Sequence, residues 1–170
     1  GTIDIGAYEY LGPQLQRLYV DINATGANNG TSWNNAITDL NLALIAASGM
    51  SNPEIWMAKG TYLPDPFDRQ VYFEIPSNCS IYGGFDGNES TLSQRALNGE
   101  TILSGDIGAV GITNDNSFHI ARVDGQSNIL FDEIVFEKGS GELALSNSDK
   151  EGSAIRIENT GDIRFTNCEF

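Results

Sequence analysis

The chain has 170 residues, of which 40% are apolar, and this is enough to build one domain with a substantial core. Nine basic and 23 acidic residues give a formal net charge of -14 at pH 7, which argues against nucleic acid or an anionic membrane surface as a partner. No apolar run reaches about 18 residues, so we predict no membrane insertion. Cations or neutral partners such as glycans fit the acidic composition better.

Residues 1–14 have the pattern of a strand and a linker that precede the main unit. Ile3, Ile5 and Ala7 occupy alternate positions, which is typical of a strand, and Gly12-Pro13 then marks a corner or linker. We therefore place a boundary here and predict that a new unit begins at residue 15. Because the chain opens in one strand-like pattern and stops in another, we expect it to be a piece of a longer protein.

The new unit begins with a predicted strand, Leu18 to Asp21, and a polar loop that leads into an amphipathic helix. We predict this helix from about Trp33 to Ala47, because its apolar residues recur at intervals of three and four, and Gly49 marks its end. An exposed end of stacked strands would promote aggregation unless it were covered. We therefore expect residues 15–52 to form an N-terminal strand and a capping helix.

From residue 53 onward the pattern is a series of short strands. Glycine corners or prolines separate them, and prolines between strands remove no hydrogen bond from a sheet. The predicted strands cover residues 54–58, 61–63, 71–75, 80–82, 101–104, 118–123 and 154–157.

An internal repeat lies in the last third of the chain. At one constant offset, Ile129, Phe131 and Phe136 recur as Ile163, Phe165 and Phe170. Repetition at a fixed offset is typical of solenoids, in which each unit stacks on the one before it. The polar stretch 137–152 makes the offset longer than the roughly 20 to 29 residues of a bare unit. Polar excursions of this kind often carry a binding surface.

Several segments together carry a resemblance to a known family. They are YVDINATGANNGTSW, the helix A-x-x-DL-x-x-AL, EIWMAKGTY, IYGGFDGNESTLSQR and TILSGDIG. Over about residues 18–136 the chain resembles the first coils of bacterial right-handed parallel β-helix surface proteins, which are pectin-lyase-like in fold. The segment DIGAYEY is similar to the closing strand of such a domain.

The resemblance implies a fold and a location. The implied fold class is an all-β solenoid, a right-handed parallel β-helix with an N-terminal capping α-helix. Its coils would occupy residues 53–170 and continue beyond them, and residues 1–14 would close a preceding β-helix module. The implied location is extracellular or on the outer cell surface of a Gram-negative bacterium.

Carboxylates and amides cluster at two of the predicted corners. Asp86, Asn88 and Glu89 follow a glycine pair, and Asp106 and Asp115 flank the next corner. Calcium needs several oxygen ligands held close together, so we name Asp86, Asn88 and Glu89 as a candidate calcium site. Tight corners also require Asp, Asn and Gly for backbone reasons, and this alternative is favoured at both places. We predict no other cofactor.

A catalytic site is harder to assemble from this sequence. The polysaccharide lyases that share the implied fold use Lys or Arg as a base, and Arg122, Lys138 and Arg156 could line one face. No pair of carboxylates with a base falls at a distinctive spacing on neighbouring strands. His119 is the only histidine, and it fits an exposed strand position or a neighbour of Asp115 better than a metal site. We therefore name no catalytic residue and leave open whether the chain is an enzyme.

The aromatic residues and the cysteines have structural interpretations. Outward-facing aromatic rings could form a platform for sugar stacking, but packing in the core and the cap is favoured. Two cysteines are too few for a disulfide framework, so we expect two separate buried thiols. The residues in question are Trp33, Trp56, Tyr62, Tyr72 and Tyr82, together with Cys79 and Cys168.

We predict a non-catalytic structural or adhesin segment of a cell-surface or secreted protein. It would extend a binding region away from the cell, as part of a tandem array or a self-assembling fibre. The expected partners are copies of the same module or neighbouring β-helix modules, with glycans or cell surfaces as further partners. The alternative is a polysaccharide-active enzyme of lyase type or a carbohydrate-binding module.

Overall fold

The structure is a computed structural model that describes residues 16–97, 100–141 and 154–170. The strands are β1 (Arg17–Val20), β2 (Glu54–Ala58), β3 (Gly60–Tyr62), β4 (Phe73–Glu74), β5 (Ser80–Phe85), β6 (Thr101–Ser104), β7 (Ala121–Asp124), β8 (Ile129–Asp132), β9 (Val135–Glu137), β10 (Ile155–Glu158) and β11 (Ile163–Thr166). The helix is α1 (Leu40–Ser48), and one 3-10 turn spans Leu92–Gln94. The predicted closing strand in residues 1–14 and most of the polar excursion 137–152 lie outside the described residues.

These strands form three sheets in which every strand pair is parallel. The largest sheet has five strands in the order β1-β2-β5-β8-β11. The other two have three strands each, β3-β6-β9 and β10-β7-β4. Parallel neighbours cannot be joined by a tight turn, so the chain leaves each sheet and forms strands elsewhere before it returns.

This pairing corrects the predicted fold class. The sequence predicts an all-β solenoid, a right-handed parallel β-helix with a capping helix, but the described residues form three separate parallel sheets and one α-helix. The prediction extended the spacing of one repeat to the whole chain. Apolar alternation locates strands but does not determine which of them pair, and the spans 63–72 and 105–120 contain no strand.

The positions of several individual strands are confirmed. β2 covers the predicted segment 54–58, and β6 covers the predicted segment 101–104. Elsewhere the bounds differ, because β4 is shorter than the predicted segment 71–75 and β7 begins later than residue 118.

The helix begins later than predicted. Asp39 is its N-cap, and the Asp39 side chain accepts a hydrogen bond from the Asn41 N–H at 2.8 Å. The preceding residues are held in turns by other polar side chains; for example, Asn28 Oδ1 accepts from the Thr38 N–H at 2.8 Å. The predicted range from Trp33 therefore joined a turn segment and a helix that share an apolar periodicity.

The outer edge of β1 is covered by the segment Gly30–Ile37 rather than by α1. The Tyr19 N–H donates to the Gly30 carbonyl at 3.0 Å, the Ile37 N–H donates to the Tyr19 carbonyl at 2.8 Å, and the Asp21 N–H donates to the Ile37 carbonyl at 3.0 Å. Behind this segment, α1 buries its apolar face against the core. The buried helix residues are Leu40, Ala43, Leu44 and Ala47.

The three sheets enclose one apolar core. The largest fully buried core side chains come from all three sheets and include Ile55, Met57, Phe73, Ile81, Leu103, Phe131 and Phe136. At its far end the core continues as two ring stacks, Phe131 on Phe165 at 5.2 Å and Phe136 on Phe170 at 5.3 Å. The phenylalanines that recur at one offset thus stack on each other. Within the described part of the chain, no helix has the length and apolar character needed to span a membrane.

Candidate functional site

The predicted calcium residues lie together in the loop that follows β5. The Glu89 carboxylate is turned into this loop and accepts hydrogen bonds from the N–H groups of Asp86, Gly87 and Asn88 at 2.6, 3.1 and 2.9 Å. Glu89 is only 6% exposed. The Glu89 carboxylate thus does for this corner what a bound anion does in other loops: it accepts hydrogen bonds from three backbone N–H groups.

The second predicted carboxylate of the loop points elsewhere. Asp86 pairs with the Lys59 ammonium at 2.9 Å, and Lys59 also contacts Glu100. The side-chain hydrogen bond to Glu100, followed by the one to Asp86, raises the pKa of Lys59. Among the described residues, no group of three or more His, Cys, Asp and Glu side chains is arranged to hold a metal ion. Calcium at Asp86, Asn88 and Glu89 therefore stays a prediction.

The second acidic corner is also held by its own backbone. Asp106 accepts from the Gly111 N–H at 2.8 Å and pairs with the Lys138 ammonium at 3.0 Å, and Asp115 accepts from the Ala109 N–H at 2.8 Å. The hydrogen bond from Gly111, and then the one from Lys138, lowers the pKa of Asp106. These contacts are those of a tight turn, which was the favoured interpretation of this corner.

Two of the three candidate bases are brought together. Arg122 of β7 and Arg156 of β10 are register partners on adjacent strands, whereas Lys138 lies apart, paired with Asp106 and Glu137. The two arginines line a pocket of about 300 Å³. Its other lining residues are Gln70, Tyr72, Phe118 and His119.

Carboxylates and a phenol occupy much of the arginine hydrogen-bonding capacity in this pocket. Arg122 donates to the Tyr72 hydroxyl at 2.9 Å and contacts Asp124 and Glu158, and Arg156 donates to Glu158 at 2.8 Å. The hydrogen bond to Tyr72 raises the pKa of Arg122. The Arg122 Nε is buried and has no hydrogen-bond partner among the described residues. The pocket thus combines cationic groups with an aromatic wall.

The five aromatic residues do not form one platform. Trp56 is buried on the outer side of the five-stranded sheet, stacked on Phe85 at 4.6 Å, with the Arg17 guanidinium 3.6 Å from its ring centroid. Trp33 packs on Phe85 at 5.2 Å and donates its indole N–H to the Glu89 carbonyl at 2.8 Å. Tyr62 is in the core and donates to the Ala58 carbonyl at 2.8 Å. These three aromatic side chains therefore contribute to packing within the fold.

Sequence reasoning missed a row of asparagines on the five-stranded sheet. Asn52 and Asn78 lie two positions before β2 and β5, and Asn128 lies directly before β8; each has positive φ, at 50°, 58° and 60°. Asn128 Nδ2 donates to Asn78 Oδ1 at 3.1 Å. With Glu54 and Arg164, among others, they line a polar groove of about 620 Å³. The repeated Asn just before a strand was visible in the sequence, and asparagine tolerates left-handed backbone better than most residues.

The two cysteines are free thiols in separate surroundings. Cys79 is buried, and this burial raises its pKa to about 12. Cys168 is half-buried; burial raises its pKa as well, and its Sγ lies 3.6 Å from the Phe131 carbonyl. Since the thiolate is the reactive form, both residues are poor nucleophiles at neutral pH.

Comparisons with known proteins found no match for this chain among family models, curated proteins or solved structures.

Proposed function

We propose that this chain is a non-catalytic structural module of a secreted or cell-surface protein. The observation that carries the proposal is that like side chains lie one above the other on successive parallel strands. Phe165 stacks on Phe131, and Asn128 bonds to Asn78. Such contacts stabilise the stacking of successive strands. The side chains that make them pack against one another and are not presented to a substrate.

The basic residues support the same proposal. Arg95 bridges the loop after β5 to Asp132 of β8 at 2.8 Å, and both side chains are largely buried. Arg17 of β1 pairs with Glu54 of β2 at 3.1 Å. These ion pairs join segments that are far apart in sequence, as expected of residues that hold parallel strands together. The acidic surface and the resemblance to bacterial surface proteins support the proposed location.

The experiment compares the native chain with Arg122→Gln and Lys138→Gln. Acidic glycans are supplied with calcium, and the release of unsaturated products is followed while urea denaturation gives the free energy of unfolding. We expect no turnover by any of the three proteins and a lower free energy of unfolding for both variants. Turnover by the native chain that Arg122→Gln abolishes would overturn the structural proposal.

The second candidate function is binding or cleavage of an acidic carbohydrate. The pocket of Arg122 and Arg156 favours it, because guanidinium groups bind carboxylates and the neighbouring Tyr72 offers a ring for sugar stacking. Tyr72→Ala separates this candidate from the structural one when the binding of acidic oligosaccharides is measured by calorimetry. Binding by the native chain with at least a tenfold loss in the variant would favour the carbohydrate candidate.

A further inference from the structure

The last strands of two sheets form an exposed face that has the pattern of an interior. We call β10, β11 and Phe170 the terminal face. Ile157 is 47% exposed and Phe170 is 72% exposed, whereas Val123 and Phe136, at the equivalent positions one strand earlier, are buried. Phe165 and Phe170 meet edge to face at 5.4 Å and end the two ring stacks of the core. The terminal face therefore exposes apolar side chains at positions whose register partners on the preceding strands are buried in the core.

The backbone of this face is open as well. β11 is the end strand of the five-stranded sheet. Its inner edge pairs with β8, because the carbonyls of Asp162 and Thr166 accept hydrogen bonds from the N–H groups of Ile129 and Glu133. Alternate residues of a parallel strand bond to the same neighbour. Ile163 and Phe165 therefore direct their N–H and C=O groups to the outer edge, where no strand of the described chain pairs with them.

We propose that the terminal face binds an extended polypeptide segment that adds to β11 as a parallel strand and carries the Ile-x-Phe pattern of the internal repeat. The inference rests on the proposed structural function and names its partner. β8 and β11 already show the pairing, with Ile163 opposite Ile129 and Phe165 opposite Phe131. Strand addition of this kind takes affinity from backbone bonds and specificity from alternate side chains.

Charge further defines the partner. Arg164 is exposed on the outer side of β11 and forms no ion pair with the described carboxylates, while its register partner on β8 is Leu130. An acidic residue between the Ile and the Phe of the incoming strand would lie opposite Arg164. A second copy offering β1 is disfavoured, because the backbone of Gly30–Ile37 already occupies the outer edge of β1.

The test uses a peptide with the sequence of residues 162–170 carrying R164E and C168S. The matched peptide differs only in keeping Arg at position 164, and a control peptide has Ser in place of Ile163 and Phe165. Binding to the native chain is followed by amide chemical shifts at millimolar peptide. We expect shifts confined to β10, β11 and Phe170, with the Glu peptide about threefold tighter than the Arg peptide, as for an exposed ion pair. The preference should reverse in the protein variant Arg164→Glu.

Three results would overturn the inference. One is absence of binding to a native chain that gives a folded spectrum, and another is equal binding of the Ser control peptide. The third is concentration-dependent dimerisation of the chain, abolished by Ile157→Glu, which would assign the face to a second copy. None of them depends on glycan turnover, so the inference and the proposed function fail separately.

Discussion

At the scale of single residues, Glu89 shows how a carboxylate that looks like a ligand in sequence can be a structural element in the fold. Its two oxygens accept three backbone N–H groups, and the side chain is almost wholly buried. The backbone N–H groups that this tight corner would otherwise leave exposed are thus hydrogen-bonded by a carboxylate of the same loop. In the corner after β6, Asp106 likewise accepts a hydrogen bond from a backbone N–H group, that of Gly111.

Glu89→Gln tests this role. The amide side chain loses the charge that strengthens the three hydrogen bonds, so we expect the free energy of unfolding to fall by about 2 kcal/mol, in the range for hydrogen bonds to charged groups. Urea denaturation measures the change. Asp86→Asn is the matched control, because Asp86 is exposed and its ion pair with Lys59 lies near the surface, so its effect should be smaller.

Glu89→Gln also tests the calcium prediction. If Asp86, Asn88 and Glu89 hold calcium, added calcium will raise the melting temperature of the native chain and a chelator will reverse the rise. Glu89→Gln should then remove the response. A melting temperature that neither calcium nor chelator changes would exclude a stabilising ion at this loop.

At the scale of elements, α1 shows where capping decides a helix boundary. Apolar periodicity runs from Trp33 to Ala47, yet the helix begins only after Asp39, whose side chain accepts from the Asn41 N–H. Ile37 instead forms a bridge with Val20. Sequence periodicity could not separate these two segments, because Ile37 and the apolar residues of α1 are buried in the same core.

Asp39→Ala tests the cap. Removal of an N-cap side chain costs about 1 kcal/mol of stability, and we expect that loss in urea denaturation. Circular dichroism should show a small loss of helical signal at moderate temperature. Asn23→Ala is the control, since Asn23 is exposed in the polar loop, and it should leave both measurements unchanged.

What the sequence could and could not predict is clear from β2, β6 and the phenylalanine repeat. Strands such as Glu54–Ala58 and Thr101–Ser104 follow from short apolar stretches that end near a glycine, which is a local property. The contact of Phe165 with Phe131 followed from their shared offset. The grouping of strands into three sheets is non-local, and so is the use of Lys59 to hold Asp86. Neither leaves a signature in one sequence.

At the scale of the whole molecule, acidity sets how stability depends on pH. The formal charge of -14 means that carboxylates with native partners stabilise the fold while the remainder repel one another. The pKa of Asp106 lies below its ordinary value of 3.8, chiefly because of the Gly111 N–H. The pKa of Glu74 is instead raised above 4.5 by burial.

Asp106→Asn and Glu74→Gln should therefore show opposite pH dependences. A depressed pKa gives stability that is present above the unfolded pKa and lost as pH falls through the folded one, so Asp106→Asn should destabilise at neutral pH and match the native chain well below pH 3.8. A raised pKa penalises the ionised group, so Glu74→Gln should stabilise at neutral pH, and its advantage should vanish below pH 4.5. Urea denaturation across this range measures both, and parallel curves would contradict the assignment.

The covered edge of β1 has a consequence for any assembly that contains this chain. The backbone of Gly30–Ile37 bonds to the outer edge of β1, whereas no strand of the described residues pairs with the outer edge of β11, so the two ends of the five-stranded sheet differ. If a strand adds to this sheet as we propose, it adds at β11 and not at β1. An assembly built in this way would have a polarity, because addition at β1 would require the hydrogen bonds between β1 and Gly30–Ile37 to be broken first.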